Sequence, residues 1–365
     1  MKLRYVLLLI IVLPVAFGGL WWLTAENPVK DVESLAMRHA DKLPLAYFGK
    51  RLFDRDCASC HDNPQMHAPT REALGGFSKE SIIIAMEFGK MTPMAAHLSK
   101  TEKGLIAIYL AGTAPASAWV ADHRCDAAAD DATTPFVHNW GLGAHNQRYV
   151  PPELTNITRD NVGSLELAWS LAFPKVTDMR SQPAVVGDNL YFGDKTGQFY
   201  AIDRHTGCVR EHLEVLSGVR SAITVAELDS GKTLLVFADS LANIYAVNAA
   251  NFEVEWQRAA QLYETSVITG SITHHGNQLF VPVSSYEVAV SGSPDHVCCK
   301  SHGGVIALDV NSGEQQWAWH GTQDATLQGQ NADGANLYGP SGVSVWSTPT
   351  VDAERGLIYI GTGEN

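Results

Sequence analysis

Apolar positions along the chain change their period twice. From Tyr5 to Leu23 they run without a charge, behind Lys2 and Arg4 and ending near Trp21 and Trp22. At ~1.5 Å per residue such a helix spans most of a ~30 Å hydrocarbon layer, so residues 1–25 are expected to form a membrane anchor or a signal segment. From Leu45 to Gly112 the period is helical, with Tyr47, Leu52 and Phe53, then a run from Ile82 to Phe88, then Leu105 to Leu110. Residues 114–135 are rich in Ala, Asp, Thr and Pro, hold no period, and read as a linker.

Beyond the linker the period is two, and the pattern repeats. Phe199-Tyr200-Ala201-Ile202-Asp203, Ile244-Tyr245-Ala246-Val247-Asn248 and Val305-Ile306-Ala307-Leu308-Asp309 each follow an apolar strand, and two of them lead into Thr206-Gly207 and Ser312-Gly313 turns. Ala201 to Ala246 is 45 residues, the length of one four-stranded propeller blade, and Ala246 to Ala307 is 61 because a loop is inserted after Val283. Trp256 and Trp317, eight residues after Asn248 and Asp309, are placed to wedge between blades, whereas Glu211 breaks that pattern in the first blade. Leu165-Glu166-Leu167-Ala168-Trp169 reads as the last strand of an earlier blade. Three blades, one leading strand and a fourth unit starting at Gly356 do not close a ring, and open β edges are an aggregation liability. The chain is therefore expected to be an incomplete version of a longer protein.

Composition narrows the partners. A net charge of −13, with 39 acidic against 26 basic side chains and no basic tract, argues against nucleic acid. An exported chain lies in an oxidising compartment, the periplasm, where Cys125, Cys208, Cys298 and Cys299 can form disulfides. Cys57-Ala58-Ser59-Cys60-His61 is different. Its C-x-x-C-H spacing lets two thiols fix a haem covalently while the histidine ligates iron, against the alternatives of a zinc half-site or a redox dithiol.

With these motifs, the helical stretch resembles a small class I cytochrome c domain, assigned to residues 42–113. Leu98-Ser99-Lys100-Thr101-Glu102 matches that family's cap on the last helix, with Ser99 as N-cap and Glu102 at N3. The resemblance implies haem c on Cys57 and Cys60, with His61 and Met91 as iron ligands and Met94 as the alternative. Met66 and Met86 are left as packing or surface residues.

The repeat region, 136–365, resembles the propeller of pyrroloquinoline quinone (PQQ) alcohol dehydrogenases, and with the helical part included, their cytochrome-bearing polyvinyl-alcohol dehydrogenase branch. That family places a threonine and a serine eighteen and three positions before a calcium-binding glutamate, here Thr269, Ser284 and Glu287. Its stacking tryptophan lies eighteen residues before a second calcium ligand, here Trp346 and Glu364, with Asn365 as the alternative. The resemblance implies PQQ and calcium as cofactors and places the general-base aspartate beyond Asn365. Neighbouring α-carbons are about 3.8 Å apart across a trans peptide, so a Cys298–Cys299 disulfide closes a strained eight-membered ring. In relatives such a ring lies against the cofactor but before the glutamate. Here it follows Glu287, so both a cofactor cover and a simple loop constraint stay open. Cys125 and Cys208 then remain, paired as a staple from the linker to the first blade.

The expectation is a multi-domain chain: an N-terminal transmembrane or signal helix, an all-α cytochrome c domain, a linker and an all-β propeller. It would oxidise a small or polymeric alcohol in the periplasm and pass electrons to a cytochrome or membrane oxidase. The alternative is a non-catalytic propeller scaffold or partner-binding module fused to an electron-transfer cytochrome.

Overall fold

The computed structural model describes residues 45–112, 114–126, 135–142, 146–176, 179–292 and 296–363. Residues 1–25, the expected anchor, lie outside the described residues, as do Glu364 and Asn365. Among the described residues no helix is long and apolar enough to cross a membrane.

The N-terminal part is helical. Helix α1 (Leu45–Asp56) runs into α2 (Ala58–His61), followed by α3 (Arg71–Leu74), α4 (Lys79–Glu87), α5 (Thr92–Ala95) and α6 (Lys100–Ala111). Ser99 and Glu102 form the expected capping box: the Ser99 hydroxyl accepts from the Glu102 N–H at 3.2 Å, and the Glu102 carboxylate accepts from the Ser99 N–H at 2.9 Å. Helices α1 and α6 cross at Gly49, where an added Cβ would lie 1.9 Å from the Leu105 carbonyl oxygen. Only a residue without a side chain allows that approach. Leu52, Phe53, Ile82, Met86, Leu105 and Ile108 close the core around the crossing.

The segment read as a linker is partly ordered: α7 spans Ala114–Asp122. Val120 is buried and Trp119 packs against Phe173 and Tyr200 of the first blade. Alanine is the best helix former and proline is tolerated in a first turn, so Ala114-Pro115-Ala116 is a helix start that compositional reading overlooks.

The rest is built from antiparallel sheets, and in the first two the strands pair in chain order. The first holds β1 (Pro135–Val137), β2 (Ala184–Val186), β3 (Asn189–Gly193), β4 (Gln198–Asp203) and β5 (Val209–Glu214). The second holds β6 (Thr224–Glu227), β7 (Thr233–Ala238), β8 (Asn243–Asn248) and β9 (Val254–Ala259). In the third, β10 (Ser266–Val267) and β11 (Thr273–His275) both pair with β12 (Gln278–Ser285), which pairs with β13 (Gly304–Asp309) and then β14 (Gln315–His320). Three shorter hairpins and ladders follow up to Gly363. The last strand but one of each sheet (β4, β8, β13) is almost wholly buried and the last (β5, β9, β14) is the more exposed, as concentric blade strands require. The region is therefore propeller-like.

Side chains bolt successive units together at their outer turns. Asp203 accepts from the His205 and Thr206 N–H groups, and Asp309 accepts from those of Asn311 and Ser312. Each turn ends in a left-handed glycine, Gly207 or Gly313. A tryptophan lies against each: a Cβ on Gly207 would meet Trp169 at 2.8 Å and one on Gly313 would meet Trp256 at 2.6 Å. Both indoles donate to a backbone carbonyl, of Arg204 at 2.9 Å and Val310 at 3.0 Å. Trp256 is thus wedged between blades as expected, whereas Trp317 is 37% exposed. Trp169 is bolted without being in a strand. Residues 165–170 form no ladder, and Leu167 is 83% exposed, so the leading strand predicted there is absent among the described residues. Where Glu211 replaces the tryptophan, the facing turn of the second blade has no glycine, and Phe199 stacks instead on Phe252 at 5.2 Å.

Candidate functional site

Strand β12 is longer than its counterparts β3 and β7 because it continues through Ser284 and Ser285 into a short helix, α8 (Glu287–Val290). Its end brings two sequence-predicted residues together. The Thr269 and Ser284 hydroxyl oxygens lie 3.2 Å apart, and Ser284 donates to the Val345 carbonyl at 3.1 Å. Val345 precedes Trp346, which is 45% exposed and lines a cavity of about 680 Å³. Thr269 lines the same cavity and a second one of about 500 Å³ between the helical part and the blades.

Two arginines missed by sequence reasoning, Arg180 and Arg220, line both cavities with Thr269. Arg220 stands in an otherwise small and apolar run, Ser217-Gly218-Val219-Arg220-Ser221, and that contrast was the available signal. Arg148, against Trp140, adds a third guanidinium to this cavity, whose lining has no carboxylate among the described residues. An aromatic face, hydroxyls and guanidinium groups are what a planar aromatic tricarboxylate needs. The residues present fit PQQ.

Glu287 lines neither cavity. Buried at 6% exposure, its carboxylate accepts from the Lys300 N–H at 3.1 Å, the Ser301 N–H at 2.7 Å and the Ser301 hydroxyl. It anchors the loop that carries the Cys298–Cys299 disulfide. That loop is also paired to a neighbouring hairpin, Tyr338 donating to the Cys298 carbonyl and Cys299 to the Tyr338 carbonyl. Among the described residues no group of three or more His, Cys, Asp or Glu converges as cation ligands. Glu364 and Asn365, the ligands expected to join Glu287 in a calcium site, lie outside the described residues. The Cys125–Cys208 staple is formed, with the sulfurs joined across 83 residues of chain.

In the helical part, the C-x-x-C-H segment lies on α2 and the turn before it. The His61 Nδ1 atom lies 2.7 Å from the Pro69 carbonyl. A carbonyl can only accept, so Nδ1 holds the proton of the neutral ring and Nε2 keeps its lone pair for a metal. Cys57 and Cys60 are unpaired thiols, and burial, reinforced by the Asp56 carboxylate, pushes Cys57 up to about 11. A thiol held protonated is a poor redox dithiol. Of the competing methionines, Met91 packs against the helical core while Met94 is 61% exposed. These residues fit a covalently held haem.

The helical part sits on the blade face that carries Thr269. Phe88 stacks on Tyr286, the neighbour of Glu287, with ring centroids 4.5 Å apart. Lys79 pairs with Glu214 at 2.9 Å, and Lys100 donates to the Ser266 carbonyl at 2.9 Å. Burial pushes the Lys100 ammonium down to about 8 although Glu87, Asp239 and Glu264 oppose the shift. Away from the cavities, His302 is buried against His320 at 2.8 Å and is held below the usual histidine range by burial and by that neighbour.

Residues 287–365 match the family described as glucose/ethanol/alcohol dehydrogenase, beta-propeller domain. Residues 155–319 match that of outer membrane protein assembly factor BamB. The chain is 32% identical over 340 residues to a polyvinylalcohol dehydrogenase of a Pseudomonas species, covering 87% of this chain and 52% of the relative. It is 28% identical to the polyvinylalcohol dehydrogenase of Sphingopyxis sp. strain 113P3, covering 87% and 51%. The solved quinohemoprotein alcohol dehydrogenase of Comamonas testosteroni superimposes with a TM-score of 0.45 at 20% identity, covering 69% of this chain and 39% of that one. The chain spans about half the length of the curated relatives it matches. On these matches it is a homologue of the PQQ-dependent alcohol dehydrogenases and carries PQQ-type β-propeller repeats.

Proposed function

We propose that this chain is the cytochrome-bearing and quinone-binding part of a periplasmic quinohaemoprotein alcohol dehydrogenase, held at the membrane by residues 5–23. The observation that carries the reading is the convergence of Thr269, Ser284, Arg180 and Arg220 beside Trp346, on the face where the C-x-x-C-H unit docks. When bound, PQQ accepts two electrons from an alcohol and haem c removes them one at a time.

The chain's own residues hold and orient these groups. Trp346 offers its indole face to a planar ring system, and the Thr269 and Ser284 hydroxyls with Arg180 and Arg220 offer donors to its carboxylates. Cys57 and Cys60 would hold a haem through thioethers, and His61, oriented by the Pro69 carbonyl, would offer Nε2 to its iron, with Met91 as a further ligand. Docking of the two units replaces a diffusional encounter by a fixed neighbour. Glu287 accepts three hydrogen bonds from Lys300 and Ser301 and keeps acceptor capacity on Oε1 that a cation such as calcium would use. Electrons leave to a cytochrome or membrane oxidase.

The test is to add PQQ and calcium to the purified full-length dehydrogenase that contains this chain and follow reduction of the haem by primary, secondary and polymeric alcohols. Reduction is expected with at least one class, and none with any class overturns the reading. A second reading, a non-catalytic propeller fused to an electron carrier, draws on the BamB-family match over 155–319. It predicts a normal haem spectrum that no alcohol changes.

A further inference from the structure

His61 and Pro69 are joined across an exposed loop. Residues 62–67 lie open to solvent, with a turn at Pro64–Met66 and a left-handed residue, His67. One tie across the base of this loop is the bond from His61 Nδ1 to the Pro69 carbonyl. Another is Arg71, at the start of α3. Its Nε donates to Asp62 Oδ1 at 2.6 Å and its Nη2 donates to Asp62 Oδ2, so a guanidinium fork grips the residue that follows His61. Nη1 donates to the Tyr109 hydroxyl at 2.8 Å and pairs with Asp54 at 2.7 Å. The guanidinium also lies 4.6 Å above the Phe53 ring, whose centroid is 5.8 Å from that of His61. One side chain thus fastens both ends of the loop to α1 and α6. Arg71 and Asp62 keep 28% and 43% of their side-chain surface open, and ion pairs so exposed add little stability. What the network does is fix where Pro69 stands.

We propose that Arg71 is a positioning residue for the iron ligand: its grip on Asp62 keeps the Pro69 carbonyl on the His61 Nδ1–H. The inference rests on the haem part of the reading above and adds the residue that tunes it. A donated Nδ1–H makes Nε2 the more basic nitrogen, and a more basic ligand favours ferric over ferrous iron. With the fork in place the carbonyl keeps one position and the imidazole one plane. Without it, Pro69 follows the exposed loop, the Nδ1–H turns to water, and the ligand donates less. Lysine would keep the charge but offers no planar fork, so the two cations are not equivalent at this position.

The experiment uses the full-length dehydrogenase that contains this chain and compares Arg71→Lys, Arg71→Gln and Asp62→Asn with the parent. Haem mass on the denatured chain is measured first, then the midpoint potential and the low-spin electron paramagnetic resonance signal of the ferric state. Arg71→Lys should raise the potential by about 59 mV, a tenfold loss of ferric preference, and broaden the signal as the ring loses its single plane. Arg71→Gln should rise less, because the lost positive charge pulls the other way. Asp62→Asn breaks the same grip from its other end and should rise most, because the lost negative charge adds to the effect. All three positions are partly exposed, so the variants should fold and their thermal unfolding should barely move, as circular dichroism would verify. A pure charge effect would leave Arg71→Lys at the parent potential and take Arg71→Gln below it. That pattern, or a parent-like signal in both Arg71→Lys and Asp62→Asn, overturns the proposal while the haem reading stands. A parent protein without covalent haem overturns the haem reading, and the inference falls with it.

Discussion

The two candidate cofactor sites are built in opposite ways. The haem site is five consecutive residues, Cys57 to His61, with one carbonyl eight residues on and a methionine thirty positions away. The quinone site gathers Ser284 from strand β12 and Arg180, Arg220, Thr269 and Trp346 from four separate loops. A local site tolerates damage elsewhere in the fold, because its spacing is set by one helical turn. An assembled site has no geometry until the blades are stacked. The contrast predicts that local damage stays local and that long-range damage reaches the assembled site.

The largest effect belongs to the haem motif. Cys57→Ser with Cys60→Ser should abolish covalently held haem, read as loss of haem mass on the denatured chain, while thermal unfolding of the repeat region barely moves. A shift of that transition would break the comparison. Next is the staple: Cys125→Ser with Cys208→Ser removes a tie across 83 residues and should lower stability by about 3 kcal/mol in urea melts. Quinone affinity should fall in the same variant, since the first blade carries Arg180 on its approach.

Trp346→Ala should weaken PQQ binding about tenfold, in line with the ~1 kcal/mol of an aromatic contact plus its lost area, leaving haem content unchanged. Fluorescence titration with the free quinone reads this directly.

The smallest effect is at the junction of the two units. Lys100 is pushed down to about 8, so between that value and the ordinary lysine range the unfolded chain binds more protons than the folded one. Stability should therefore rise with pH across that window, and Lys100→Met should flatten the rise.

What could be read in advance follows the same division. The C-x-x-C-H segment, the Ser99–Glu102 box and the Asp-x-x-x-Gly turns were legible because each is closed by hydrogen bonds or bonds within a few residues. Blade spacing was legible because each repeat restates it. Arg180 was not, since nothing within its own segment distinguishes a cavity-lining arginine from a solvated one, and Arg220 left one signal, a lone charge in a small and apolar run. The Glu287 carboxylate sits at the expected spacing, yet its partners Lys300 and Ser301 lie beyond an insertion that no periodicity describes. The alternation in Leu165 to Trp169 promised a strand, but a strand exists only where a neighbour completes its ladder.

Helix α6 ends at Ala111 and α7 begins at Ala114, and α7 is fastened to the first blade by Trp119, Val120 and, just beyond, the Cys125 sulfur. The free leash between the helical unit and its dock is three virtual bonds, at most about 11 Å. On that leash the proposed cytochrome is a fixture and not a shuttle. It cannot swing out to deliver an electron, so its acceptor has to arrive at the exposed side, and turnover should scale with acceptor concentration and fall with salt for a cationic partner of this acidic chain.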